Sequence, residues 1–133
     1  MDEIQLDTRG DNDVIDLTDR VESAVKESGV TDGVAVVFVP GSTAGVTTIE
    51  HEPGMVSDLQ GALERLVPKG GRYAHNHGGE SNGHAHVRAA LVGPSISIPI
   101  KRGRMTLGTW QQIVLVDFDD RPRSRTVLVQ VVG

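Results

Sequence analysis

The sequence predicts a single α+β domain over residues 1–133, a mostly antiparallel β-sheet framework with two or three packed helices. Three observations point there. At 133 residues the chain can bury one real core but not two ordinary ones. From Ser95 onward, apolar segments of strand length are separated by short turns, which favours antiparallel neighbours. The first half interrupts such segments with two stretches of helical periodicity. Hydrophobic residues make up 38% of the chain and aromatic residues only 3%, so the core must be aliphatic.

Each element has its own signal. Glu3–Thr8 alternates with period two, as a strand with one wet face does, and Gly10, Asp11 and Asn12 make a turn. Asp16 or Thr18 can cap a helix in which Leu17, Val21, Ala24 and Val25 form one apolar stripe, and Gly29 ends it. Gly33–Val39 is an unbroken apolar run bounded by Gly and Pro, the pattern of a central strand buried on both faces. Ser42–Glu50, rich in hydroxyls and β-branched residues, predicts another strand. Pro53-Gly54 then opens a helix with Val56, Leu59, Leu63 and Leu66 on its buried face, stopped by Pro68 and Gly70-Gly71. Ser95–Ile100 alternates strictly, Lys101–Arg104 reads as a tight hairpin turn, and Met105–Leu107 begins the return. Gly108–Gln112 breaks the pattern before a strand at Ile113–Phe118. A turn at Asp119–Pro122 leads to a last buried strand, Thr126–Val132.

Composition excludes several function classes. A net charge of −5 argues against nucleic acid, which needs a concentrated basic face. The one basic cluster, Arg121, Arg123 and Arg125, alternates with other residues and reads as the solvated side of a hairpin. Without cysteine there are no disulfides or thiolate ligands, so any metal relies on imidazole and oxygen. Nothing resembles a signal peptide or approaches the ~18 apolar residues of a membrane span. The expectation is a soluble, cytoplasmic protein with no membrane partner.

Three stretches carry chemistry. Four of the five histidines, His75, His77, His84 and His86, fall within twelve residues, interleaved with Gly, Asn, Ser and Glu, and the chain turns apolar immediately afterwards. Such a loop is either an exposed flexible segment or a ligand site leading into the core. In an extended segment His75 and His77 share one side. His84 and His86 do so only if extended, since on a helix they diverge by about 200° and His84 aligns with Arg88 instead. Gly41-Ser42-Thr43-Ala44-Gly45 lets backbone N–H groups approach a phosphate while two hydroxyls donate to its oxygens, though it also suits a polar strand entry. In Gly108-Thr109-Trp110-Gln111, Trp110 can stack on a flat heterocycle while Thr109 and Gln111 read its edge, or serve as a core or subunit contact.

The strings VPGSTAGVTTIEHEPG (39–54), YAHNH (73–77), NGHAHVRAALVGPS (82–95), LGTWQQI (107–113) and the terminal VLVQVVG together resemble the YjbQ-like family of small proteins, in its archaeal-like form. The resemblance covers nearly the whole chain. It implies an α+β homotrimer with polar clefts at subunit boundaries, and a secondary thiamine-phosphate synthase activity that joins hydroxymethylpyrimidine pyrophosphate to a thiazole phosphate. Many members carry His where this chain has Gly41. The other two histidines of that pattern match His75 and His86, and His84 is the replacement expected here for the third. The expected metal set is therefore His75, His84 and His86, holding a divalent ion, zinc or magnesium.

The remaining roles follow from that reading. His86, Glu50 and Arg88 are the expected catalytic residues, with Arg88 balancing pyrophosphate charge, and Lys101 or Arg104 as further cations. Glu50 or Glu80 can add an oxygen ligand. Ser42, Thr43, Asn82, Thr109, Trp110 and Gln111 are the expected substrate contacts, Asn82 also orienting an imidazole. The small phosphorylated heterocycle and further copies of the chain are the expected partners. Beside the transferase stands a non-catalytic trimeric module that binds a metal or phosphometabolite, and a metal-dependent hydrolase with Glu50 as base is a weaker third reading.

Overall fold

The computed structural model describes residues 1–133, as eight strands and three helices. In chain order they are β1 (Asp2–Thr8), β2 (Asp13–Asp16), α1 (Thr18–Ser28), β3 (Asp32–Phe38), β4 (Ala44–Ile49), α2 (Pro53–Leu66), α3 (Gly83–Val92), β5 (Ser95–Lys101), β6 (Arg104–Met105), β7 (Gln112–Asp117) and β8 (Arg123–Val132). The strands form two antiparallel sheets, ordered β1-β8-β3-β5-β6 and β2-β7-β4. The α+β expectation holds, with a further short strand, β2, between the Gly10–Asn12 turn and α1, where no element was expected.

Two cores separate three layers. Between the sheets, Val37, Val39 and Val127 of the large sheet meet Val46, Ile113 and Leu115 of the small one, and the predicted α1 stripe of Leu17, Val21, Ala24 and Val25 closes the end. On the opposite face of the small sheet, Val114, Val116 and Phe118 pack against Leu63 of α2 and Ala85 and Ala89 of α3. The strand buried on both faces is thus β7 and not β3. β3 is central in its sheet, but Val34 and Val36 are only half-buried and Phe38 is exposed, because no layer covers that side. Leu66, expected on the buried face of α2, is also exposed, lying where the helix ends.

Local signals explain the ends of the elements. The N-cap position of α1 is Leu17, not Asp16 or Thr18, and carries no side-chain cap; the Asp16 carboxylate accepts from the backbone N–H and hydroxyl of Thr18, the first residue of the helix, and Gly29 closes α1 in the left-handed conformation. Glu52, just before Pro53, accepts from the first N–H groups of α2. Gly45 lets α3 lie close on β4, since a Cβ there would stand 2.8 Å from Val92 Cγ1 and 2.9 Å from the Gly93 carbonyl. No helix is long and apolar enough to cross a membrane.

Candidate functional site

The site begins where β4 and β7 start to pair, at Ala44 opposite Asp117. Asp117 continues the phase of Ile113 and Leu115, and Arg125 that of Val127 and Val129, so both charges enter the space between the sheets. They meet there as a bidentate pair: Arg125 Nε donates to Asp117 Oδ2 at 2.8 Å, and Nη2 to Oδ1 at 2.9 Å. Thr8 donates to Asp117 Oδ2 at 2.6 Å, and Arg125 Nη2 also reaches the Thr43 hydroxyl at 2.7 Å. Thr43 in turn donates to Asp119, which pairs with Arg123 at 2.9 Å. Burial works against the Asp119 charge, yet the Asp120 N–H, the Thr43 hydroxyl, Arg123 and Asn82 hold its carboxyl below the ordinary value. The reading of Arg121, Arg123 and Arg125 as a solvated hairpin side therefore fails for two of them, and only Arg121 is exposed.

This buried network fixes the 41–45 segment as one wall of a cleft of about 240 Å³, with Gly41, Ser42 and Ala44 facing His86, Ala89 and Ala90 of α3. Ser42 is exposed in it, whereas Thr43 is turned inward and buried. α3 starts at Gly83 because Tyr73 and Asn76 crowd that position: a Cβ would lie 2.6 Å from Tyr73 Cβ, and the Asn76 carboxamide accepts from the Gly83 N–H. The half-buried His86 is thereby presented to the cleft, and the exposed His75 lies against it with ring centroids 4.4 Å apart. His77 is 6.4 Å from His75, and Glu80 approaches His75 Nε2 only to 4.0 Å.

His84 does not join them. Residues 83–92 are helical, so His84 lies on another face of α3 from His86, as the helical alternative required. Its ring is fully buried beside Tyr73, and neither ring nitrogen has a hydrogen-bond partner. Burial, then the positive charges of Arg88 and Lys69, push its imidazole below the usual histidine value. The set His75, His84 and His86 is not assembled in one chain, and no group of three or more His, Asp or Glu side chains here could hold a metal ion.

Arg88, expected on pyrophosphate, is buried and otherwise engaged. It donates to the Val67 carbonyl from Nε and Nη2, to Asn12 Oδ1 from Nη1, and to Glu64 from Nη2 at 2.7 Å. The Lys69 backbone N–H, with Arg88, holds the Glu64 carboxyl below its usual value against desolvation. Arg88 therefore pins α3 to the end of α2 and to the turn before β2. Asn82 approaches Asp119 at 3.5 Å rather than orienting an imidazole.

Glu50, Thr109, Trp110 and Gln111 lie elsewhere. They cluster at the far end of the β4–β7 pair, where Ile49 faces Gln112, about 17 Å along the strand from Ala44. There Gln111 Nε2 donates to Thr48 at 3.2 Å, while Glu50 and Thr109 are exposed and Trp110 is 72% exposed. Lys101 and Arg104 belong to the β5–β6 hairpin at yet another edge.

The sequence model of the UPF0047, YjbQ-like proteins matches residues 2–133. A UPF0047 protein of Methanocaldococcus jannaschii is 40% identical over 130 residues, 97% of this chain and 91% of that protein. Among solved structures, a YbjQ-like protein of unknown function from Sulfolobus solfataricus superposes with a TM-score of 0.95 at 32% identity, covering 99% of this chain and 95% of that one. An uncharacterised YjbQ/UPF0047 protein from Clostridium acetobutylicum gives 0.91 at 43% identity, covering 99% and 100%.

Proposed function

The chain belongs to the UPF0047, YjbQ-like family, and from that premise we propose that it is a homotrimeric transferase of the thiamine-phosphate synthase kind, with each site shared by two subunits. The observation that carries this reading is the cleft between residues 41–44 and α3. There a segment of small residues and a serine hydroxyl faces His86, whose ring has His75 against it, a fit for a small phosphorylated ligand. At about 240 Å³ the cleft holds part of such a substrate and leaves its heterocycle projecting.

The split between the two ends of β4–β7 supports the shared site. An exposed Trp with Thr109, Gln111 and Glu50 beside it suits the flat end of a ligand held by another copy. The uncovered outer face of the large sheet gives that copy somewhere to pack, since Val34 pairs with Val132 and Phe38 with Leu128 across it. In the proposed reaction the thiazole nitrogen attacks the exocyclic methylene carbon as its bond to the pyrophosphate oxygen breaks, and pyrophosphate leaves with the electron pair. In this reading His86 and His75 donate hydrogen bonds to that departing oxygen. A zinc or magnesium ion fits only if a neighbouring chain adds ligands to this pair, Glu50 being the acidic side chain at the far edge.

The test is direct. Light scattering on the purified protein should give three chains per particle, and incubation with the two phosphorylated heterocycles should yield thiamine phosphate, abolished in His86→Ala. A monomer, or no product with or without added zinc or magnesium, overturns the transferase reading. Saturable binding of a phosphorylated ligand without turnover would instead support the binding-module alternative, favoured by the lack of a carboxylate hydrogen-bonded to either imidazole.

A further inference from the structure

One edge of the Arg125 guanidinium is free, and it lies behind Gly41. Nε and Nη2 are used by Asp117 and Thr43, but Nη1 makes no hydrogen bond within the chain. A Cβ built on Gly41 would have Nη1 as its nearest neighbour, at 3.1 Å, so any side chain there would stand between this donor and the cleft. Gly41 is exposed, with φ of 135°, a conformation that favours glycine. Independently, the backbone N–H groups of Gly41, Ser42 and Thr43 donate to nothing in the chain, although Thr43 is buried. Consecutive unpaired N–H groups form a concave cradle for an anion, and an unpaired N–H out of solvent is costly unless a ligand or water takes it.

We infer that Arg125 is the anion-recognising side chain of this cleft, with Nη1 donating past the missing Cβ of Gly41 to an oxygen of a phosphate cradled by the 41–43 amides. The inference rests on the proposed phosphorylated ligand and assigns the group that holds its phosphate, a role the buried Arg88 cannot fill. Asp117 and Asp119 are offset by the buried Arg125 and the half-buried Arg123, so the network as a whole carries no excess positive charge. Its selectivity comes from directed donors, which suit the oxygens of a phosphate monoester or pyrophosphate. Gly41 is thereby the residue that opens Arg125 to the ligand.

The experiment titrates the full-length protein with inorganic phosphate and pyrophosphate at constant ionic strength, following the Arg125 side-chain NMR resonances and the heat of binding. Saturable binding that perturbs the Arg125 resonances, weakened at least tenfold in Gly41→Ala while resonances outside the cleft keep their wild-type positions, supports the assignment. Arg125→Lys, which keeps a cation for Asp117 but loses the free fork, should weaken binding similarly. Should that variant fail to fold, Gly41→Ala decides. Binding lost in Ser42→Ala but unchanged in Gly41→Ala would overturn the Arg125 assignment and leave the phosphorylated-ligand reading intact. No saturable binding of either anion to the wild-type protein would overturn both.

Discussion

The two ends of the β4–β7 pair solve opposite problems. At the Ala44–Asp117 end the chain buries two carboxylates and the Arg125 guanidinium, and pairs them with one another, with the half-buried Arg123 and with Thr8 and Thr43. At the Ile49–Gln112 end it leaves Trp110, Thr109 and Glu50 in solvent. Buried charge costs several kcal/mol per ion unless it is fully paired, so the first end is a rigid device that holds the cleft wall in place. An exposed Trp needs no such support. It gains little from its own fold, and the proposed shared site gives it a role. In the proposed function the two ends have separate tasks, the supported end holding the anion and the open end meeting a neighbouring copy.

The largest expected effect lies at the buried end. Asp117→Ala leaves Arg125 as an uncompensated buried cation, and urea unfolding should show a loss of about 3–5 kcal/mol. A result near wild type would mean that the pair is not what holds the wall. Next comes the fit of the other wall: Gly45→Val drives a side chain into Val92 and the Gly93 carbonyl, with an expected loss of about 1–3 kcal/mol.

His84 then sharpens the comparison through pH. Its folded-state value is lowered by burial and by Arg88 and Lys69, so below the ordinary histidine range, about 6.5, the unfolded chain takes up a proton that the folded chain refuses. Stability should fall as pH drops from 7.5 to 5.5, the loss levelling off only below the folded-state value. In His84→Asn the fall should be shallower; equal slopes in urea midpoints would rule His84 out as its source. At the open end, Thr109→Ala should change stability by no more than about 0.5 kcal/mol while lowering product formation severalfold. A clear loss of stability would show that this end is internally supported after all.

Much of the fold was legible because periodicity reports burial. The α1 stripe, its Gly29 stop and the Arg102-Gly103 hairpin all follow from local chemistry. β3 misled because an unbroken apolar run says that both faces avoid water, not which layer covers them. Within this chain its outer face stays uncovered, with Val34 and Val36 half-buried and Phe38 exposed. The histidines stood out as a cluster, but their partition did not until α3 was known to begin at Gly83, which sends His84 inward and His86 to the cleft. The least legible part was the ionic network. Its signal was nonetheless present: Asp117 and Arg125 sit in phase with core residues, a place where a charge must be paired. Reading Arg125 with its neighbours in sequence rather than with its phase made it look solvated. Arg88, a charge next to helical apolar residues, was misassigned for the same reason.

The most direct test of a site shared between subunits is complementation between two inactive variants. His86→Ala and Trp110→Ala are each purified, then mixed in equal amounts under conditions that exchange subunits, and thiamine phosphate formation is measured. If each site takes His86 from one chain and Trp110 from the next, random reassembly restores about a quarter of wild-type sites. Product no greater than that of the two variants assayed separately, in a mixture shown to have exchanged subunits, would contradict the shared site.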